Sequence, residues 1–308
     1  MTRPVTDVAA SVRQRLLNLA RGRGVAFDQL LVYYAIERFL YRLSLTPWAE
    51  RLVIKGATLL RVWDVPYARP TRDIDFLGRV PGSPDALVSL VRECLAAEVV
   101  DDGLRFDDEV TADEIRVDEE YPGVRLVVRG DLSGAKFRLQ LDVGIGDDVV
   151  PDPAWVDYPA LLPDLPAPRV LAYDPATSIA ERIEAMVKFG DGNSRLKNFY
   201  DVWLLATSLG FGGVTLAGAI AATFLRRGTE LPDVGSLLVT DEFVASRPIL
   251  TQWNAFRAKA GVDESLEFAK VVQVIRAFGT PVLEAVSHGV PFEAEWPPTG
   301  PWTEKEMA

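Results

Sequence analysis

The chain has one cysteine and one histidine among its 308 residues. A lone Cys94 excludes a disulfide framework and any zinc site built from clustered cysteines. Its place in the apolar rhythm of residues 87–99 predicts a buried helix position. A lone His288 leaves a Ser-His-Asp triad or a two-histidine metal motif with little to draw on. No apolar run is long enough to span a bilayer, and the stretch after Met1 lacks the apolar centre of a signal peptide. No membrane partner is expected, and the expected compartment is the cytoplasm. Positive charge is also short. The formal net charge is −11, whereas a nucleic-acid binder is expected to show a basic footprint. Either the substrate is a free nucleotide, or basic residues gather on one face. Arg69, Arg72, Arg182, Lys188, Arg195 and Lys197 are candidates for such a face, with Arg226 and Arg227 as a second cluster.

What the chain does have is a hydrophobic share of 48%, enough for a sizeable core. It also has Asp73-Ile74-Asp75. Two carboxylates one residue apart on a strand point to the same face. Like charges that close repel unless a cation lies between them, and Mg²⁺ is commonly held by one or two carboxylates together with substrate phosphates. Ile74 and Phe76 alternate with the acids, so the opposite face is expected to be buried. Upstream, Lys55-Gly56-Ala57 reads as a glycine turn opening a helix over 57–63, and backbone N–H groups at a helix start suit phosphate. Arg72 flanks the acid pair. A third acid, Asp142, lies in Phe137-Arg-Leu-Gln-Leu-Asp-Val143, whose strict alternation predicts a half-buried strand. Asp73, Asp75 and Asp142 together suggest a metal site for in-line phosphoryl displacement.

The pattern predicts an α+β fold. Helices are expected at 6–21 and 27–43, a strand at 52–54, a second at 73–77, and a helix from Pro84, capped by Ser83, to about Val99. Strands at 114–118, 124–128 and 136–143, with turns at Pro122-Gly123 and Ser133-Gly134, read as a meander extending the sheet. Residues 150–168 are dense in proline and read as a connector. Helices are expected at 175–190, 194–209, 215–227, 247–260 and 264–287, followed by an extended tail with Trp296 and Trp302. Two domains follow: residues 1–165, a helical lead-in plus catalytic core, and 166–308, a helical lobe.

A second constellation lies on the helices at 175–190 and 194–209. Ile179, Ile183, Met186 and Val187 form a buried stripe, with Arg182 and Glu181 at its edge. Asp201 lies among Phe199, Tyr200 and Trp203 and needs a partner, since an unpaired buried charge is costly. Arg182, Arg195 or Lys197 are candidates. The functional reading is Arg182 or Lys188 on nucleotide phosphates, with Asp201 orienting the nucleotide or its acceptor.

These motifs, in this order, resemble the nucleotidyltransferase toxins of the AbiEii/AbiGii type, which include the mycobacterial MenT toxins. The resemblance runs from Tyr34–Leu43 through Lys55–Leu60 and Arg69–Phe76 to Glu181–Lys188 and Asn193–Trp203. It implies a polymerase-β-like core with a mixed sheet and a helical C-terminal lobe. Gly56 and Ala57 would stand at the phosphate-binding turn, and Asp73 and Asp75 would hold metal. Arg182 falls where many relatives carry lysine, and Asn198 where many carry an acid. The implied activity is Mg²⁺-dependent transfer of a nucleoside monophosphate from an NTP, with release of pyrophosphate, to the 3′ end of tRNA, which blocks translation. A separately encoded antitoxin would be its partner. The alternatives are nucleotidylation of a protein or small molecule, and a non-catalytic GTP-binding module.

Overall fold

The computed structural model describes residues 7–66, 69–115, 123–146, 149–232 and 239–304. The chain forms two units. The first comprises Met1–Val62, Pro70–Asp147 and Ala154–Ala172, and the second Trp63–Arg69, Asp148–Pro153 and Tyr173–Ala308. The expected boundary was 165; here residues 154–172 belong to the first unit, and Trp63–Arg69 and Asp148–Pro153 to the second.

In the first unit, α1 (Val8–Arg23) starts where the Asp7 side chain accepts a hydrogen bond from Ala10 N, and stops at Gly24, whose φ of 65° is open to glycine. Helix α2 (Phe27–Ser44) is buried along most of its surface, including Glu37, Arg38 and Arg42. Arg42 is neutralised there by Asp102 at 2.6 Å. Strand β1 (Leu52–Lys55) leads into a 3-10 helix, Gly56–Arg61, where an α-helix was expected. Strand β2 (Asp73–Gly78) follows, and then α3 (Pro84–Leu95), with Ser83 capping Ala86 N as the sequence implied. Helix α3 ends short of the expected Val99 and carries the fully buried Cys94.

Strands β3 (Arg105–Ile115), β4 (Gly123–Leu132) and β5 (Ala135–Ile145) form the meander. The turn between β4 and β5 lies at Ser133-Gly134, both with positive φ, as two-residue hairpins require. Strand β3 begins well before the expected 114, through the acidic run Asp107-Asp108-Glu109. Such a run is tolerated because β3 is an edge strand. Of the expected strand at 114–118 and turn at Pro122-Gly123, residues 116–122 lie outside the described residues.

The proline-dense connector also holds two short strands, β6 (Ala154–Asp157) and β7 (Arg169–Ala172). With them the sheet has seven strands in the order β3-β4-β5-β2-β1-β7-β6. It is mixed: β2 runs parallel to β5 and β1 to β7, and the other neighbours are antiparallel. Helix α2 packs against β5 and β7, and α3 against β3 and β4. The fold is α+β, as the sequence predicted.

The second unit is mainly helical: α4 (Pro175–Phe189), α5 (Leu196–Ser208), α6 (Gly213–Arg226), α7 (Asp241–Ala245), α8 (Arg247–Ala260) and α9 (Phe268–His288). The short α7 was not foreseen. Strands β8 (Phe211–Gly212) and β9 (Glu295–Trp296) pair and tie the tail down. Trp296 is buried, and its indole donates to Ala206 O at 2.7 Å. Among the described residues no helix is long and apolar enough to cross a membrane.

Candidate active site

The site in the first unit follows from strand register. Lys55 of β1 stands opposite Asp75 of β2, Asp75 beside Asp142 of β5, and Asp142 opposite Arg125 of β4. Directly paired residues share a face of the sheet. The result is a lateral row of four side chains across four strands, with charges plus, minus, minus, plus. All four are partly exposed. Asp73, two residues before Asp75, lies on the same face beside Gln140. The opposite face of β2 is core, with Ile74 fully buried and Phe76 nearly so.

Two hydroxyls fix the start of β2. Thr58 Oγ1 and Thr71 Oγ1 both donate to Asp73 O, at 3.0 and 3.2 Å. The glycine turn lies against the acids. Gly56 has φ 74°, and a Cβ on it would sit 2.1 Å from Asp75 Oδ2. Only a residue without a side chain brings the backbone that close. Ala57, next in the turn, is buried, while Arg72 is exposed beside Asp73.

Asp142 is engaged. Arg125 Nε donates to its Oδ1 at 2.9 Å and Arg125 Nη2 to its Oδ2 at 2.8 Å, a bidentate pair. Gln140 Nε2 adds a third donor at 3.2 Å. The Arg125 guanidinium is held more firmly protonated than usual, chiefly by the hydrogen bond to Asp142. Burial opposes this, and the charges of Asp142, Asp73 and Asp75 add to it. All three acids therefore act on one arginine. Among the described residues, no group of three or more His, Cys, Asp or Glu side chains is gathered so as to hold a metal ion. Of the three expected carboxylates, Asp142 stands beside Asp75 in register and is bonded to Arg125. Asp73 and Asp75 are a pair of hard oxygen donors on one face, next to the Gly56 turn, and they fit a divalent cation completed by substrate oxygens.

The second unit holds Arg182 and Asp201. Asp201, on α5, is fully buried. Its Oδ2 accepts from Arg182 Nη2 at 2.9 Å, and both oxygens accept from Arg69, at 2.8 and 2.9 Å. Burial alone would raise the Asp201 carboxyl; Arg69 and Arg182 outweigh it and hold the group below the usual carboxylate range. Arg182 Nη1 also donates to Ser178 O at 2.8 Å. The expected contact of Arg182 with nucleotide phosphates thus meets a guanidinium already bonded on several sides, and Asp201 is enclosed between two arginines. Arg69 was the unforeseen partner, since nothing local connects residues 69 and 201. Glu184 on α4 is buried and accepts from Arg227 Nη1 at 2.6 Å and Thr229 Oγ1 at 2.5 Å. Arg226 pairs with Glu181 at 3.3 Å. Arg69, Arg182, Arg226 and Arg227 are therefore counter-ions of internal acids, not the basic surface expected of them. Lys188 is exposed in the last turn of α4. A cavity of about 440 Å³ in this unit is lined by residues including Asn193, Phe243 and Ile249, and by none of the site residues expected from sequence.

The family model described as nucleotidyl transferase AbiEii toxin, type IV toxin–antitoxin system, matches residues 38–274, more than half of the chain. The chain belongs to the AbiEii family. The polymerase-β-like core implied by the motifs is the fold of this nucleotidyltransferase family. Two crystal structures from Helicobacter pylori are similar. One is of JHP933, with 12% identity and a TM-score of 0.48, covering 85% of this chain and 91% of the other. The second is of a putative nucleotidyltransferase, with 12% identity and a TM-score of 0.46, covering 86% and 95%. No curated protein sequence matches. The AbiEii match spans both halves of the charged row and the Arg182–Asp201 cluster.

Proposed function

We propose that this AbiEii-family toxin transfers a nucleoside monophosphate from an NTP to the 3′ end of tRNA, uses Mg²⁺, and thereby blocks translation in the cytoplasm. The observation that carries the reading is the placement of Asp73, Asp75 and the Gly56 turn against one another on the exposed face of β2. A divalent ion on Asp73 and Asp75 would supply positive charge to the phosphates. The chain's own groups do the rest. Gly56 and Ala57 let the triphosphate approach the backbone. Lys55 and Arg72 add charge at the two ends of the acid pair. The attacking hydroxyl oxygen bonds to the α-phosphorus, the bond to the pyrophosphate oxygen breaks, and the hydroxyl proton is lost to a carboxylate or to water. Most of the acceleration comes from positioning and charge placement.

In this reading Arg182 and Asp201 form a buried ion-pair cluster within the second unit, and Lys188 is an exposed cation of that unit proposed to bind a nucleotide phosphate. A separately encoded antitoxin is the protein partner. A second acceptor class, protein or small molecule, is favoured by the net charge of −11 and by the internal use of four arginines. The test is incubation of the purified protein with each α-³²P-labelled NTP, Mg²⁺, total RNA and cell extract, beside an Asp75→Ala control. A labelled tRNA band that the control lacks supports the proposal and names the base. Label on protein moves the acceptor to protein. No label with any NTP counts against catalysis.

A further inference from the structure

We propose that Arg125 serves as the second cation of this site, and that Asp142 orients Arg125 instead of ligating metal. The inference rests on the reading above, in which Asp73 and Asp75 hold one divalent ion. Three features carry it. First, the Asp142 oxygens already accept three hydrogen bonds, two from the Arg125 fork and one from Gln140. Turning them toward a metal would break a bidentate, charge-assisted pair. Second, register holds this pair as firmly as it holds the acids. Arg125 and Asp142 are directly opposed in the β4–β5 ladder, and that ladder is continuous from Gly123 to Leu132. Third, charge is balanced without a second ion. Lys55, Arg72 and Arg125 stand beside Asp73, Asp75 and Asp142, three charges of each sign, so a single divalent ion already makes the site net positive.

The Arg125 side chain is 43% exposed. Its Nη1, not used by Asp142, is available to a phosphate oxygen. A guanidinium is planar, permanently charged and suited to phosphate. Arg125 is therefore a catalytic residue that contacts substrate, and Asp142 is its positioning residue.

The experiment is a Mn²⁺ titration of the intact protein, read from the electron paramagnetic resonance signal of free Mn²⁺. Wild type is expected to bind one ion per chain, Asp142→Asn to bind it unchanged, and Asp75→Asn to lose it. Arg125→Ala, which frees Asp142 and removes a repelling charge, is expected to bind Mn²⁺ about tenfold tighter or to take a second ion. Arg125→Lys keeps the charge and is expected to bind like wild type, which guards against an Arg125→Ala variant that fails to fold. In steady-state assays, Arg125→Ala and Asp142→Asn should raise the KM for NTP alike. Two ions on wild type, one of them lost in Asp142→Asn, would overturn the inference and leave the nucleotidyltransferase reading standing. Unchanged Mn²⁺ affinity in folded Arg125→Ala would also overturn it. No Mn²⁺ bound to wild type would remove the metal reading itself, and the inference with it.

Discussion

Replacing Gly56 by alanine separates the cost to the fold from the cost to the site. At φ 74°, alanine adopts a left-handed conformation, which costs about 1–2 kcal/mol. Its Cβ would also lie 2.1 Å from Asp75 Oδ2 and 2.9 Å from Asp75 Cγ. The backbone of Asp75 cannot retreat, because it is paired to β1 on one side and β5 on the other. The carboxylate must rotate instead, and such overpacking costs about 1–3 kcal/mol. The sum, about 2–5 kcal/mol, does not exceed the roughly 5–15 kcal/mol stability of ordinary domains, so the variant should fold. Its urea midpoint should fall. Activity should fall further, because displacing a reacting group by about 1 Å costs about a hundredfold. Gly24→Ala is the control. It has φ 65° and nothing within 4 Å of a Cβ, so it should lose only the backbone part of the stability and none of the activity. A Gly56→Ala variant that works at the wild-type rate would refute the claim that this turn positions Asp75.

Asp201→Asn takes the carboxylate away from the buried Arg182 and the partly exposed Arg69 and should cost about 3–5 kcal/mol in urea unfolding; a loss below about 1 kcal/mol would contradict the assigned pairing. Because the folded Asp201 carboxyl is held below its unfolded value, its contribution should be complete above about pH 4 and vanish as pH falls through the lower folded value. The stability gap between wild type and Asp201→Asn should therefore close in acid, and a gap that widens there would be the wrong sign. Arg227→Ala leaves the fully buried Glu184 carboxylate without its ion-pair partner and should destabilise the protein by a comparable amount in thermal melting, whereas Glu184→Ala leaves a partly exposed Arg227 still paired with Glu181 and should be less damaging. The Cys94 thiol is pushed up to about 11, first by burial, with Thr46 opposing. It should resist iodoacetamide at pH 8 in the native protein and react only on unfolding.

Much of the site was legible because strand alternation is local. The sequence Asp73-Ile74-Asp75-Phe76 carries its two faces within four residues, and Phe137–Val143 does the same for Asp142. Register is not local. Nothing in the sequence sets Arg125 opposite Asp142, since that depends on how the hairpin at Ser133-Gly134 aligns two strands. The bond from Arg69 to Asp201 spans 132 positions and is invisible for the same reason. Strand β7 was missed because Val170-Leu171-Ala172 is short and follows closely spaced prolines; its strand character comes from lying along β1. Strand β3 was cut short because Asp107-Asp108-Glu109 reads as loop; the run is accommodated on an edge strand, where the register with β4 shifts between Phe106 and Val110. The helices of the second unit were readable because the 3.6-residue period persists over several turns, whereas α7 is too short to show one.

The charged row has one consequence for how the sheet assembles. Lys55, Asp75, Asp142 and Arg125 share a face only when β1, β2, β5 and β4 are all in register. A slip of one residue in any of these strands turns its charge toward the face now filled by Ile54, Phe76, Val143 and Val124. An ion placed there without a partner is disfavoured by several kcal/mol. The side chains proposed for the chemistry thus also act as an alignment key. A sheet with one strand out of register is therefore less stable than the aligned one by the cost of a buried, unpaired charge.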